Sequence, residues 1–220
     1  MNMRYGLAAC GVIAALAVSV AGCSSGGSST PGSGTTPNTS GGASGTASAA
    51  AAPSGGASPS WAAALGSGVT VAAPVSVSAG LGSPEAVVTG DVDDIQAGQF
   101  QADCAYVVPT DQSECKSSVA SAEASVGPSA LASDVGTEKN FAIGYTVIDG
   151  DKALVGTTGT FCSDSSGSPS CFTNSDPAAI FSTGKSFATL WSEANNSTSN
   201  GYSLAPCLEV GGKWYLDDQS

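Results

Sequence analysis

Histidine is absent from all 220 residues. Ser-His-Asp and Cys-His catalysis are excluded in their usual construction, and so are His-ligated zinc and haem sites. Basic residues are also scarce: six Lys and Arg stand against 18 Asp and Glu, a formal net charge of −12. That balance argues against nucleic-acid binding, which needs clustered Lys and Arg on phosphates, and against electrostatic adhesion to anionic lipid. The apolar run near the N-terminus is shorter than the ~18 residues that span a bilayer, and no later segment is longer. No Cys-x-x-Cys spacing occurs, so a thiolate zinc site has no sequence support. An enzyme of this composition would have to rely on carboxylates, Lys, Tyr or a cysteine, and no cofactor or metal is implied.

The first 22 residues have three zones: Arg4 in a short polar start, an apolar stretch from about Tyr5 to Val20, and small residues at Ala21-Gly22. This is the layout of an export signal. The tetrapeptide Val20-Ala21-Gly22-Cys23 resembles the lipobox of bacterial lipoprotein precursors. The resemblance implies cleavage before Cys23, a diacylglyceryl group on its sulfur, and N-acylation such as palmitate on the new α-amine. Each buried methylene contributes about 0.8 kcal/mol and one chain holds only marginally, so two or three chains would anchor the protein without a transmembrane helix. The expected location is the outer face of the cell membrane or another envelope membrane. Removing residues 1–22 takes Arg4 and leaves 5 basic against 18 acidic residues, a formal charge of −13.

Residues 23–60 follow as a tether. From 24 to 60 the chain is Ser, Gly, Thr, Ala and Pro with Asn38, without charge. Such a segment cannot bury enough apolar surface to offset its ordering entropy. Its root-mean-square reach is roughly 30–37 Å. Ser and Thr beside Pro are also acceptor-type positions for O-linked sugars. Composition changes at Trp61, and residues 61–220 contain every Trp, Phe and acidic residue. That length suits one domain, with 61–82 as an extended lead-in and 83–220 as the folded body.

Within the body the first expectation is a helix. Ser83 suits the N-cap, Pro84 position N1 and Glu85 the first turn, while Val88, Val92 and Ile95 form one stripe and Gly98 a C′ stop. A second short helix is expected from Gln99 to about Val107 and a third from Asp111 to Ala124, with Cys115, Val119 and Ala122 inward. Strands follow. Phe141, Ile143, Tyr145 and Val147 alternate, Asp149-Gly150 marks a turn, and Ala153–Cys162 returns. Residues 186–193 read as a further strand through Phe187, Thr189 and Trp191. A last hairpin turns at Gly211-Gly212, with Pro206 demanding an edge or a bulge. The class is α+β: helices packed on a curved antiparallel sheet.

Helices followed by a strand meander ending Gly211-Gly212-Lys213-Trp214-Tyr215-Leu216-Asp217 resemble the nuclear-transport-factor-2-like superfamily. The stretch from Pro84 to Phe100 is similar to its opening helix and turn, and Cys104–Pro109 to an actinobacterial lipoprotein branch. The resemblance implies a sheet wrapped around helices to leave a conical pocket. Members include isomerases, dehydratases and non-catalytic binding domains, and fold does not choose among them. The His–Asp and Asp–Arg–Asp sets of catalytic members have no counterpart in a mature chain without His or Arg, and no catalytic residue is carried over.

Five cysteines remain beyond Cys23, and two bridges among them can be drawn in fifteen ways. The expected pairs are Cys104–Cys115, clamping two helices across Pro109, and Cys162–Cys171, closing the Ser163–Ser170 loop; Cys207 is left as a buried thiol. Asp91, Asp93 and Asp94 lack a calcium-loop pattern and read as a solvated acidic face. Tyr145, Trp191, Trp214 and Tyr215 are candidates for a pocket lining or for core. The expectation is a membrane-anchored, non-catalytic module binding a small apolar ligand or an envelope protein. The alternatives are a cofactor-free isomerase or dehydratase and a self-associating envelope protein.

Overall fold

A computed structural model describes residues 58–135, 137–163, 170–196 and 204–217. The expected signal, Cys23 and most of the expected tether lie outside these residues. Helix α1 (Ala62–Leu65) and strand β1 (Thr70–Ala72) precede four helices: α2 (Pro84–Gln96), α3 (Phe100–Asp103), α4 (Gln112–Val126) and α5 (Pro128–Val135). Strands β2 (Thr137–Asp149), β3 (Lys152–Ser163) and β4 (Ser170–Asn174) come next, then a 3-10 turn (Phe181–Thr183), α6 (Phe187–Asn195), β5 (Leu204–Val210) and β6 (Lys213–Leu216). The class is α+β with one antiparallel six-stranded sheet, ordered β1-β2-β3-β5-β6 with β4 also on β3.

Helix α2 begins as its sequence demands. Ser83 is extended, its Oγ accepts from the Ala86 N–H at 3.2 Å, and Pro84 occupies the first turn. It ends in a Schellman arrangement: the Gly98 N–H donates to Ile95 O at 3.0 Å and the Gln99 N–H to Asp94 O at 2.7 Å, with Gly98 at φ +69°. Only glycine takes that φ without strain. The helix is not half-exposed, however. Pro84 to Val88 and Gly90 to Val92 are all buried, because α2 packs on β2, β3, β5 and β6 as well as on α3 and α5. Burying Val87 and Val88 contributes about 1.5–3 kcal/mol each.

The expected second helix is reduced to α3. The chain beyond it spends its backbone on the outer edge of β6: the Leu216 N–H donates to Tyr106 O at 2.7 Å and Val107 bridges Leu216 in parallel, while Leu81, from before α2, covers the same edge by accepting from the Trp214 N–H at 3.0 Å. A covered edge cannot recruit another strand. Cys115, Val119 and Ala122 are buried on α4 as their spacing implies. Helices α1 and α5 carry Leu65 and Leu131 into the core without a sequence signal strong enough to announce them.

Strand β2 departs instructively from its pattern. Phe141, Ile143, Tyr145 and Val147 alternate, so a regular strand would place all four on one face. The register against β3 slips by one residue between Lys139 and Ala142, where Asn140 takes φ +56°, and again between Ile143 and Thr146. The second bulge reverses the parity. Phe141 and Ile143 join the α2-facing cluster with Val87, Val88, Val155 and Leu216, while Tyr145 and Val147 join the opposite cluster with Leu65, Leu154, Phe181 and Leu190. Bulges also bend a strand and raise its twist. Neighbouring Leu154 and Val155 of β3 serve the two clusters, so the sheet is covered on both faces.

Residues 187–195 are a helix, which corrects the expected strand over 186–193. Phe187, Leu190, Trp191 and Ala194 sit at i, i+3, i+4 and i+7 and pack on the outer cluster, whereas Thr189 is exposed. Ser186 caps the helix by accepting from the Thr189 N–H at 3.3 Å. The 3-10 turn beside it seats Phe181 close to the sheet: a Cβ at Gly156 would meet Phe181 Cε2 at 3.0 Å, and one at Gly144 would meet Pro177 at 3.0 Å.

The terminal hairpin turns through Gly211 and Gly212, both at positive φ, as a two-residue primed turn requires. Strand β5 lies between β3 and β6 and carries no bulge, but its ladder with β6 ends at Cys207 opposite Leu216, so at Pro206 the strand is an edge on that side, as expected. Pro206 is tolerated because β6 stops at Leu216. Asp217 N–H donates to Pro206 O at 2.9 Å, and the Asp217 carbonyl, which finds no N–H on proline, accepts at 3.1 Å from the Asn195 amide once that amide is assigned the orientation that satisfies both its ends. The other end of that amide accepts from Trp191 Nε1 at 3.0 Å, tying α6 to the end of the sheet.

Phe181→Ala should lower unfolding stability by about 3–5 kcal/mol, the cost of an aromatic removed from a closed core. Urea unfolding checks this through the midpoint at unchanged slope; a loss below about 1 kcal/mol would contradict the seating described here.

Candidate functional site

The α2-facing interior contains acids where a core would ordinarily be apolar. Asp91 is 0% exposed, and Glu85, Asp103 and Asp217 are also buried. This corrects the solvated acidic face: Asp93 is exposed and Asp94 half-buried, but Asp91 points inward. The signal was present in the sequence. Val88, Asp91, Val92 and Ile95 fall at i, i+3, i+4 and i+7, so Asp91 lies on the apolar stripe, and Glu85 lies one turn before Val88 on the same stripe.

Cys207 faces these acids from β5. Its Sγ is fully buried, 3.9 Å from Pro84 O and 3.8 Å from Ala205 O. Burial pushes its thiol well above the ordinary value of 9.0, and the charges of Glu85, Asp91 and Asp217 push the same way. It is therefore a neutral, packed thiol and a poor nucleophile at physiological pH.

Tyr106 closes the other flank. Its ring lies against the backbone of Gly90, where any Cβ would overlap it. Burial raises its hydroxyl above the ordinary 10.0, and Asp94, Asp103, Asp93 and Asp91 add to the effect in that order. Asp94 is itself raised by burial and by neighbouring Asp93. All five lysines of the described residues are exposed, so no cationic side chain enters this interior. Among the described residues no group of three or more His, Cys, Asp and Glu is arranged to hold a metal ion. The surroundings favour the protonated forms of Cys207 and Tyr106.

The four candidate aromatics do not converge. Tyr145 packs edge-on against Trp61 at 5.2 Å and Trp191 stacks on Phe187 at 5.8 Å, both at the outer cluster, with Lys152 Nζ 5.1 Å from the Trp191 ring. Trp214 packs on the α2-facing cluster, and Tyr215 belongs to a third cluster with Phe100, Val107 and Leu131. Consecutive residues of β6 point to opposite faces, which separates the last two.

Two disulfides are present, Cys104–Cys115 between the end of α3 and α4, and Cys162–Cys171 across β3 and β4; Cys207 is free. Loops this short stabilise by roughly 2–3 kcal/mol each in the chain-entropy account. Disulfides are consistent with an oxidising, exported environment. No helix of the described residues is long and apolar enough to cross a membrane. Comparison with protein-family models, curated proteins and solved structures finds no significant match to this chain.

The Cys207 thiol makes a pH prediction. Its folded pKa is raised, so its contribution to stability is fully present below 9.0 and is lost as pH rises toward the folded value. Tyr106 acts in the same direction above 10.0. Urea midpoints measured from pH 7 to 10.5 should fall at the alkaline end, and Cys207→Ala should flatten that fall by up to about 1.4 kcal/mol per pH unit. Parallel profiles for the two proteins would show that burial does not hold the thiol neutral.

Proposed function

We propose that this chain is an exported lipoprotein, anchored through Cys23, whose nuclear-transport-factor-2-like domain is a non-catalytic binding or scaffold module for another envelope protein. The observation that carries the choice of partner is the filling of the space between α2 and the sheet. Val87, Val88, Ile143, Val155, Ala205 and Leu216 pack there, in the place a conical ligand pocket would occupy. That packing favours a protein partner on the outside over a small apolar ligand inside. The helices-then-meander order and the bulged β2 support the family resemblance, and the tether of 37 residues from 24 to 60 supports action at a distance from lipid.

A second reading rests on one specific observation, a fully buried Asp91 on the same helix as Gly90, against which the half-buried Tyr106 ring lies. It makes the domain a cofactor-free isomerase or dehydratase with one of these groups as the acid–base. The absence of a cation in the described interior to steady a developing anion weighs against it.

Two measurements test the first reading. Cys23→Ala should move the protein from the membrane fraction to the soluble fraction and abolish incorporation of a labelled fatty acid; retention in the membrane would defeat the anchor. The delipidated domain should show no saturable binding of an apolar fluorescent probe, whereas one-to-one saturation would restore the small-ligand reading and defeat the filled interior.

A further inference from the structure

The two disulfides sit in unlike surroundings. Cys104–Cys115 is sealed, its residues 0% and 3% exposed inside the cluster of Phe100 and Val119. Cys162–Cys171 is open: Cys171 is exposed and Cys162 half-buried. It joins directly opposed residues of β3 and β4, with Cα atoms 4.1 Å apart. The same face carries the Thr160–Thr173 hydroxyl pair at 2.9 Å and, two residues from Cys162's β2 partner Thr137, the exposed Lys139.

Strand β4 is five residues long and pairs with β3 alone. Its last residue, Asn174, and the chain beyond it are secured independently of the disulfide. Asn174 Nδ2 donates to Thr157 O at 2.7 Å, its Oδ1 accepts from the Asp176 N–H at 3.2 Å, and Pro177 and Phe181 then pack against the sheet. With β3 as its one neighbour among the described residues and Cys162–Cys171 as its one covalent tie, the part of β4 before Asn174, residues 170–173, can leave without unfolding the rest.

We propose that Cys162–Cys171 is a thiol-exchange site: an exported dithiol reductant opens it, and opening releases residues 170–173 of β4 from β3 while Asn174 and the remainder of the domain stay folded. Attack falls on the exposed Cys171 Sγ. The reductant's thiolate forms a mixed disulfide with Cys171, the Cys162–Cys171 bond breaks, and Cys162 leaves as a thiolate that takes a proton from water. The positive charge of Lys139 on that face favours the departing thiolate. The reductant's second thiolate then attacks its own sulfur in the mixed disulfide and expels the Cys171 thiolate, which is protonated in turn. The protein disulfide gains two electrons, and the dithiol is oxidised to a disulfide. Cys207 takes no part, because it is fully buried. The inference stands apart from the binding reading, since it needs neither the anchor nor a partner.

The test uses the intact folded protein, dithiothreitol as the probe, quenching with iodoacetamide over time, and peptide mass spectrometry. Cys162 and Cys171 should be alkylated at least about tenfold faster than Cys104 and Cys115, which need a local opening before attack, with Cys207 unlabelled. Equal rates, or prior opening of Cys104–Cys115, would overturn the exchange site. Hydrogen exchange on the same sample reads the release: amides of β4 residues 170–173, and those of β3 residues 159–163 that donate to β4, should lose protection, while β5 and the β3 amides directed to β2 keep it. The C162S/C171S double variant should show that exchange pattern without reductant. Native-like protection of β4 after reduction or in the variant would overturn the latch and leave the bond a passive staple.

Discussion

Burial of α2 around most of its circumference is the constraint on which the other features depend. A helix packed on four strands and two helices keeps only a narrow solvent face, which Asp93 and Asp94 occupy. Asp91 is carried inward between Val88 and Val92, and Glu85 with it. Gly90 must lack a side chain because the Tyr106 ring occupies that space. Cys207, on the strand facing the start of the helix, is shut away from water and held in its neutral form. The acidic character that keeps the surface soluble thus extends into the interior, where it works against ionisation of the thiol and the phenol.

The sheet answers this demand through the two bulges of β2. Without the second one, Tyr145 and Val147 would compete with Ile143 for the α2-facing side and the outer face would lack the residues that receive Phe181 and Leu190. One inserted residue on β2 serves both faces, and β3, buried along Ala153 to Thr157, is the element they share. The cost falls at the margins. β6 needs Leu81 and Tyr106 to cover its edge, and β4 remains attached along one side only, where a disulfide takes over the work that a second neighbour would do.

Much of this was legible along the chain. The Ser83 cap, the Gly98 stop and the Gly211-Gly212 turn are dictated by hydrogen-bonding groups and φ preferences within a few residues, and they occur where those preferences place them. Residues 187–195 show the limit. Phe187, Thr189 and Trp191 fit a period of two, while Phe187, Leu190, Trp191 and Ala194 fit a helix, and the apolar count favours the helix only once Thr189 is seen to face solvent. The four candidate aromatics looked like one set because each sits on a strand-like segment; three different clusters receive them.

The amino-acid sequence by itself determined the local chemistry: caps, turns, the uncharged Ser, Gly, Thr, Ala and Pro composition of residues 24–60, the lack of a histidine-based site, and the supply of cysteines. Only the tertiary structure decided which side of the sheet each β2 residue faces, that Asp91 is a core residue, and that one disulfide is sealed while the other meets water. The physical reason is range. A cap or a glycine turn is settled by atoms three or four residues away, whereas burial is settled by whatever distant element packs on top, and nothing at Asp91 or Cys171 records what that element is.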